Sequence, residues 1–360
     1  MYDRIYNFAA GPSMLPLPVL EQAKKDLLNY QGTGMSVMEM SHRSKAYDDI
    51  ITEAEALMHE VMGIPDSYQV LFMQGGASLQ FASVPMNLMV KGKADYIVTG
   101  NFAGKAQKEG MKYGEAHIVA TTKPENFSRI PRQEELTLTP DADYVHVCFN
   151  NTIFGTKYFY IPETGNVPLV ADMSSCILSE PVDVNRFGLI YAGAQKNLAP
   201  AGLTVVIVRK DLIREELPDY VPSMCNYSLM AKNNSMYNTP PCWSIYMCKL
   251  ALEWIKSIGG TEELQKRNLR KAKLLYDYLD QSRFFHNPVS KESRSIMNVT
   301  FRAEDDEVNA RFVKESAAAG LSNLKGHRLV GGMRASIYNA MPYEGVEALV
   351  SFLEKFEKTL

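Results

Sequence analysis

A lysine that follows an apolar run and a string of small residues is open to a ligand, and Tyr191-Ala192-Gly193-Ala194-Gln195-Lys196-Asn197 presents one. A primary amine so placed can attack a carbonyl carbon and can carry a proton. The pattern alone also describes a solvated loop lysine, the commoner case for this residue type. Asp172 supplies context. It ends the apolar run Val167-Pro168-Leu169-Val170-Ala171 and is expected at the carboxyl edge of a sheet, where open α/β sheets bind ligands. Taken by itself, Asp172 also reads as a cap or turn residue ahead of Met173-Ser174-Ser175.

A third segment, Met73-Gln74-Gly75-Gly76-Ala77-Ser78, reads as a strand, two glycines and a helix start. Free backbone N–H groups at such a start bind phosphate, although a Gly-Gly turn often does no more than connect elements. Together the amine, the carboxylate and the helix start match what pyridoxal phosphate requires. A lysine forms the Schiff base, and an aspartate keeps the pyridine nitrogen protonated so that the ring can absorb the electrons of a carbanion. Gly100-Asn101-Phe102-Ala103-Gly104-Lys105 resembles a P-loop, but it is one residue short between glycines and lacks Ser or Thr after the lysine. The nucleotide reading is therefore rejected.

The elements that must position these residues alternate along the chain. Strands are expected at 69–73, 95–99, 144–149, 167–171, 189–192 and 204–209, mostly as the uniformly apolar runs of buried parallel strands. Helical stretches at 78–89 and 103–113 supply the crossovers that parallel strands need. Ile258-Gly259-Gly260 separates a helix beginning near Trp243 from a charged one beginning at Thr261. Beyond it, a strand at 296–301, a helix from Asp306, a strand at 333–337 and a final helix suggest a smaller α+β unit. The expectation is a large, mainly parallel α/β domain over 17–258 and a small domain over 259–360, joined by segment 1–16.

Composition limits what the chain can bind. The 360 residues are 46% hydrophobic, enough for a large core, and 38 basic against 41 acidic residues leave a formal charge of −3. That balance provides no global field to draw in nucleic acid or an anionic membrane, so an anionic ligand must be met locally. Five cysteines without C-x-x-C spacing argue against a disulfide framework or a zinc ribbon and for a reducing compartment, and no metal site is expected. Met1 leads straight into Tyr2-Asp3-Arg4 without the basic start and apolar run of a signal peptide, and no later apolar stretch reaches about 18 residues. The expectation is a soluble cytoplasmic protein.

Longer matches now become specific. Asn7-Phe8-Ala9-Ala10-Gly11-Pro12, Ser36 through Arg43, Ala192 through Asn197, Asn238-Thr239-Pro240-Pro241 and Gly326 through Ala340 follow in order along the chain. In these the chain resembles the class V aminotransferases of fold type I, in their phosphoserine-handling branch. The resemblance implies that Lys196 holds pyridoxal 5'-phosphate, that Asp172 pairs with the ring nitrogen, and that Thr152 and Gln195 hydrogen-bond the cofactor. It further implies that Ala77 and Ser78 cradle the phosphate, that Phe102 stacks on the ring, and that Asn238 and Thr239 reach the phosphate from a second subunit. Many relatives carry Trp where Phe102 stands, and some carry Arg where Ser78 stands. A phenyl ring still offers a π-face, whereas losing an arginine leaves the phosphate charge to the helix terminus and hydroxyls.

The implied reaction moves an amino group between glutamate and 3-phosphohydroxypyruvate, in serine biosynthesis, with a possible second activity on 3-hydroxy-2-oxo-4-phosphooxybutanoate in pyridoxine biosynthesis. Each substrate carries an α-carboxylate and a second anion. Arg334, after Gly331-Gly332-Met333, suits bidentate capture of the α-carboxylate. His327-Arg328 and His42-Arg43 suit the distal anion, although a His-Arg pair alone is usually an exposed basic loop. The resemblance assigns His42 and Arg43 to the neighbouring subunit's site, implying a homodimer with shared active sites. The alternatives are a serine–glyoxylate-type relative, a cysteine desulfurase, for which no cysteine sits in a recognisable mobile loop, or a non-catalytic cofactor-binding protein.

Overall fold

The computed structural model describes residues 4–360, so the start read at Met1 to Asp3 lies outside the described residues. Seven strands build the main sheet: β1 (Tyr68–Met73), β2 (Lys93–Val98), β3 (Glu115–Thr121), β4 (Val145–Cys148), β5 (Leu169–Asp172), β6 (Leu189–Gly193) and β7 (Thr204–Arg209). Their spatial order is β1-β7-β6-β5-β4-β2-β3. From β6 to β3 every pairing is parallel, whereas β7 runs antiparallel to both β6 and β1. Two antiparallel pairings restore direction, so β1 points the same way as β6. Six strands therefore end on one edge.

The continuous apolar runs follow from burial on both faces. Along β7, Val205 and Ile207 join one hydrophobic cluster while Val206 and Val208 join the other. The first cluster is roofed by α1 (Leu17–Asp26) and α2 (Lys45–Met62), the second by α3 (Gly76–Leu88), α4 (Asn101–Gly110) and the short α5 (Tyr227–Lys232). α6 (Cys242–Ser257) returns to the first face and packs along α2. Edge strand β3 is the one that sequence patterning did not reveal. It pairs only with β2, and its side chains are exposed or half-buried, so it carries no apolar run.

After Gly259 (φ +107°), which forms the turn out of α6, come α7 (Gly260–Gln281), β8 (Phe285–His286), β9 (Asn298–Ala303), α8 (Asp306–Ala318), β10 (Met333–Ser336) and α9 (Tyr343–Glu357). β8, β9 and β10 form an antiparallel sheet, and Phe285, Phe301, Phe312 and Phe356 pack edge to face between it and the helices. On α7, buried Lys271 donates to the carbonyls of Ile337 (3.0 Å), Tyr338 (2.7 Å) and Met341 (3.0 Å). Burial pulls its pKa down to about 7.

A buried polar network joins this sheet to the main one. Asn150, just beyond β4, donates to Asn298 Oδ1 (2.8 Å) and accepts from Ser295 (2.6 Å), and Asn298 donates to Ser336 (3.0 Å) and Tyr338 (3.1 Å). The N-terminal segment adds a second tie: Tyr6–Asn7 pairs in parallel with Leu321–Ser322, and Tyr338 Oη donates to Ala10 (2.8 Å). Among the described residues no helix is long and apolar enough to cross a membrane, and all five cysteines are free.

Candidate active site

The segments that leave β1, β2, β4, β5 and β6 supply one residue set at the carboxyl edge of the sheet. Lys196 lies just past β6, and its Nζ donates 2.8 Å to Thr152 Oγ1 on the segment leaving β4. The same amine stands 4.9 Å from the ring centroid of Phe102, at the start of α4. Burial lowers the Lys196 pKa, Arg334 acts in the same sense, and Asp172 opposes them. A lysine held below its ordinary range supplies more of the uncharged nucleophile at neutral pH.

The wall behind Lys196 comes from the N-terminal segment. Ser13 N donates to the Gln195 carbonyl (3.0 Å), and Ser13 Oγ bonds to the Lys196 carbonyl. Gly11 has φ +142°, and a Cβ there would stand 3.1 Å from Lys196 Cγ, so only glycine lets the segment lie this close. Sequence reasoning matched Asn7 through Pro12 without assigning these contacts. A Gly-Pro-Ser run is the one local sign of a tight approach.

Asp172 is the last residue of β5 and is buried. Its Oδ1 accepts from Ser174 N (2.9 Å) and Ser174 Oγ (2.6 Å), and Ser174 Oγ in turn accepts from Gly193 N (3.0 Å) on β6. One oxygen thus performs the turn role that the sequence also allowed. The other accepts no hydrogen bond among the described residues, leaving it free for a ligand proton. Ser174, which sequence reasoning passed over, fixes the carboxylate against the adjacent strand.

Gly75 (φ +85°) and Gly76 (φ +66°) bring β1 into α3, which has no side-chain cap. The amides of Gly76, Ala77 and Ser78 find no acceptor among the described residues, as expected of a helix start open to an anion. A Cβ on Gly193 would fall 2.9 Å from Gln195 Oε1 and 3.5 Å from Ala77 N, so the missing side chain at 193 is the space in which Gln195 lies beside α3. Ser78 is exposed and Ala77 half-buried.

Arg334, on β10, reaches across from the smaller sheet and donates from Nη1 to the Thr152 carbonyl (3.3 Å). Its Nε is buried without a partner, and no carboxylate pairs with it among the described residues. Burial lowers its pKa, yet a guanidinium stays charged at neutral pH. His327 lies nearby, its pKa pushed below the usual imidazole value by burial and then by Arg334, Arg328 and Lys105. Its Nδ1 accepts from Leu329 N (3.2 Å), which fits a neutral ring. Arg328 is exposed.

Within one chain His42 and Arg43 lie elsewhere, and Thr239 meets the turn into α3 only through Gln74. His42 and Arg43 precede α2 and line a surface hollow with Asn233 and Met236. Asn238 and Thr239 are exposed, and the Thr239 carbonyl accepts from Gln74 (3.3 Å). No hydrogen bond or ion pair among the described residues joins the four to Lys196, Asp172 or Arg334. The other histidines have ordinary surroundings: His59 meets the Ile64 carbonyl, His146 is buried against Tyr191, and His117 and His286 are exposed.

A family model described as aminotransferase class-V matches residues 5–349. A phosphoserine aminotransferase from Bacillus cereus is 55% identical over 356 residues, which are 99% of each chain. Among solved structures, a phosphoserine aminotransferase from Bacillus circulans subsp. alkalophilus is 50% identical with a TM-score of 0.97, covering 99% of both chains. A pyridoxal-phosphate-bound phosphoserine aminotransferase from Trichomonas vaginalis is 38% identical with a TM-score of 0.94, covering 98% of this chain and all of that one. The fold is that of the fold type I aminotransferases. With nearly its whole length matched, the chain belongs to the class V aminotransferase family.

Proposed function

We propose that the chain is a pyridoxal-phosphate-dependent transaminase that moves an amino group between glutamate and 3-phosphohydroxypyruvate, giving O-phosphoserine and 2-oxoglutarate. The observation that carries the reading is that a half-buried amine and a half-buried guanidinium meet on one residue: Thr152 accepts from Lys196 through its hydroxyl and from Arg334 through its carbonyl. That juxtaposition sets an amine nucleophile beside a receptor for an amino acid's carboxylate. The close relatives are named for phosphoserine as substrate, and the Trichomonas relative is described as holding pyridoxal phosphate.

The residues present fit the cofactor. Lys196 supplies the amine, the open oxygen of Asp172 a charge for a ring nitrogen, the uncapped start of α3 with Ser78 a phosphate cradle, and Phe102 an apolar wall. Gln195 adds a side-chain amide. When bound, the cofactor supplies an aldehyde that condenses with amines and a ring that accepts the electrons of a Cα–H bond. Lys196 then moves the α-proton, its lowered pKa suiting it to act as a base. Arg334 fixes the α-carboxylate and so sets which bond at Cα faces the lysine. Asp172, held by Ser174, balances charge that grows as the proton leaves. His327 and Arg328 receive the distal anion.

The assembly that suits the half-buried His42 and the exposed Arg43, Asn238 and Thr239 is a homodimer in which each chain completes the other's site. Two units divided near Gly259, 17–258 and 259–360, would carry the cofactor and substrate faces of that site, in a cytoplasmic enzyme. A cysteine desulfurase would need a reachable thiol, and here Cys148, Cys176, Cys225 and Cys248 are buried and Cys242 only half-exposed. The test is a spectrum of the purified protein. A visible band that bleaches with glutamate and returns with 3-phosphohydroxypyruvate is expected, and a band indifferent to both would overturn the reading.

A further inference from the structure

We propose that Lys105 is a specificity-determining residue, the cation in this chain that favours a dianionic over a monoanionic distal group on the substrate. The inference rests on the proposed reaction and deepens it by naming what separates its two amino donors. Lys105 lies on α4, in the segment whose likeness to a P-loop was set aside. Its Nζ is 5.7 Å from the centroid of Phe102, the ring that also faces the Lys196 amine at 4.9 Å. It is exposed and forms no ion pair or hydrogen bond among the described residues. Its charge reaches His327, whose pKa it helps to depress.

Charge separates the two donors. A phosphate monoester carries about −1.5 to −2 near neutral pH, whereas the γ-carboxylate of glutamate carries −1. On the distal side His327 offers a neutral ring, because its Nδ1 accepts a backbone N–H and its pKa is depressed. Arg328 is then one full charge from this chain, to which the proposed dimer adds Arg43 of the partner subunit. Arg334, bonded to the Thr152 carbonyl, is taken up by the substrate's α-carboxylate in the proposed reaction. Lys105 is the remaining cation among those that act on His327, it has no acid to satisfy it, and its long flexible stem can follow a ligand. Since Coulomb energy scales with ligand charge, the logarithm of its effect on a dianion is about twice that on a monoanion.

The experiment compares wild type, Lys105→Gln and Lys105→Arg as cofactor-loaded enzyme in separate single-turnover half-reactions with phosphoserine and with glutamate. Binding of the unreactive ligands 3-phosphoglycerate and glutarate is measured by calorimetry. For a partly exposed charge, Lys105→Gln is expected to lower kcat/KM for phosphoserine about fivefold, through KM, and that for glutamate about twofold. Affinity for 3-phosphoglycerate should fall about fivefold with a shallower salt dependence, and Lys105→Arg should restore most of both. Equal losses for the two donors, or unchanged 3-phosphoglycerate affinity in Lys105→Gln while wild type turns over phosphoserine, overturns the role of Lys105 alone. A wild-type enzyme that neither turns over phosphoserine nor binds 3-phosphoglycerate overturns the parent reading as well.

Discussion

Replacing Arg334 by lysine tests the site at the point where its energetics are clearest. The guanidinium has one bond, from Nη1 to Thr152 at 3.3 Å, and a buried Nε that nothing accepts from. A desolvated donor on a cation without a counterion raises the energy of the empty site, and an entering carboxylate removes that cost by accepting two parallel bonds. Lysine keeps the charge but presents it as a point, so one of the two charge-assisted bonds is lost. At about 1.5–3 kcal/mol for such a bond, kcat/KM should fall about ten- to a hundredfold. The loss should be the same for glutamate and phosphoserine, since both present the same α-carboxylate. Arg334→Met should abolish turnover and yet unfold at higher denaturant, by roughly 1 kcal/mol, because it removes an uncompensated cation. Single-turnover kinetics with each donor and urea denaturation of the three proteins read these effects. A loss confined to one donor, or an Arg334→Met chain less stable than wild type, would refute the reasoning.

Other perturbations address other parts of the molecule. Lys196→Ala should abolish turnover while leaving the circular dichroism spectrum unchanged, and near-native turnover would sink the assignment. Ser174→Ala removes the hydroxyl shared by Asp172 and the Gly193 amide, so stability should drop by about 1–3 kcal/mol and turnover should suffer more than cofactor affinity. A cofactor titration beside the rate separates the two. Co-refolding Lys196→Ala with a chain in which Asn238 and Thr239 are both alanine should recover about a quarter of the sites, as half the dimers are mixed and each has one intact site. Mixed dimers with no recovered turnover would return those residues to their own chain. Lys271, depressed to about 7 in the fold against an ordinary value near 10.4, makes the unfolded chain bind more protons between those values. Wild type should therefore gain stability over Lys271→Met as pH rises from 7 to 9, by on the order of 2 kcal/mol, and parallel profiles from urea melts would count against it.

The strands were legible to the degree that they are buried. β1, β2 and β4 to β7 read as apolar runs because both faces of the sheet are covered, while β3 was silent because an exposed edge imposes no such pattern. Strand direction was less legible. β7 has the same buried run as its parallel neighbours, and its reversal is a property of pairing that composition does not record. The expectation of a mainly parallel sheet holds, with β7 as the one reversed strand of the seven.

The amino-acid sequence by itself determined which residue types end the strands. Small residues before Lys196, an aspartate closing β5 and paired glycines before α3 are local features, written within a few positions and recognisable for that reason. What surrounds them was decided only by the tertiary structure. Ser13 meets Lys196, Arg334 meets Thr152 and Asn150 meets Asn298 across well over a hundred residues each. No local propensity encodes such meetings, which arise when the two sheets and the N-terminal segment pack together. The lowered pKa of Lys196 and the unpaired Nε of Arg334 have the same origin, since desolvation exists only once the surrounding chain has excluded water from an amine and a guanidinium that an unfolded chain would leave hydrated.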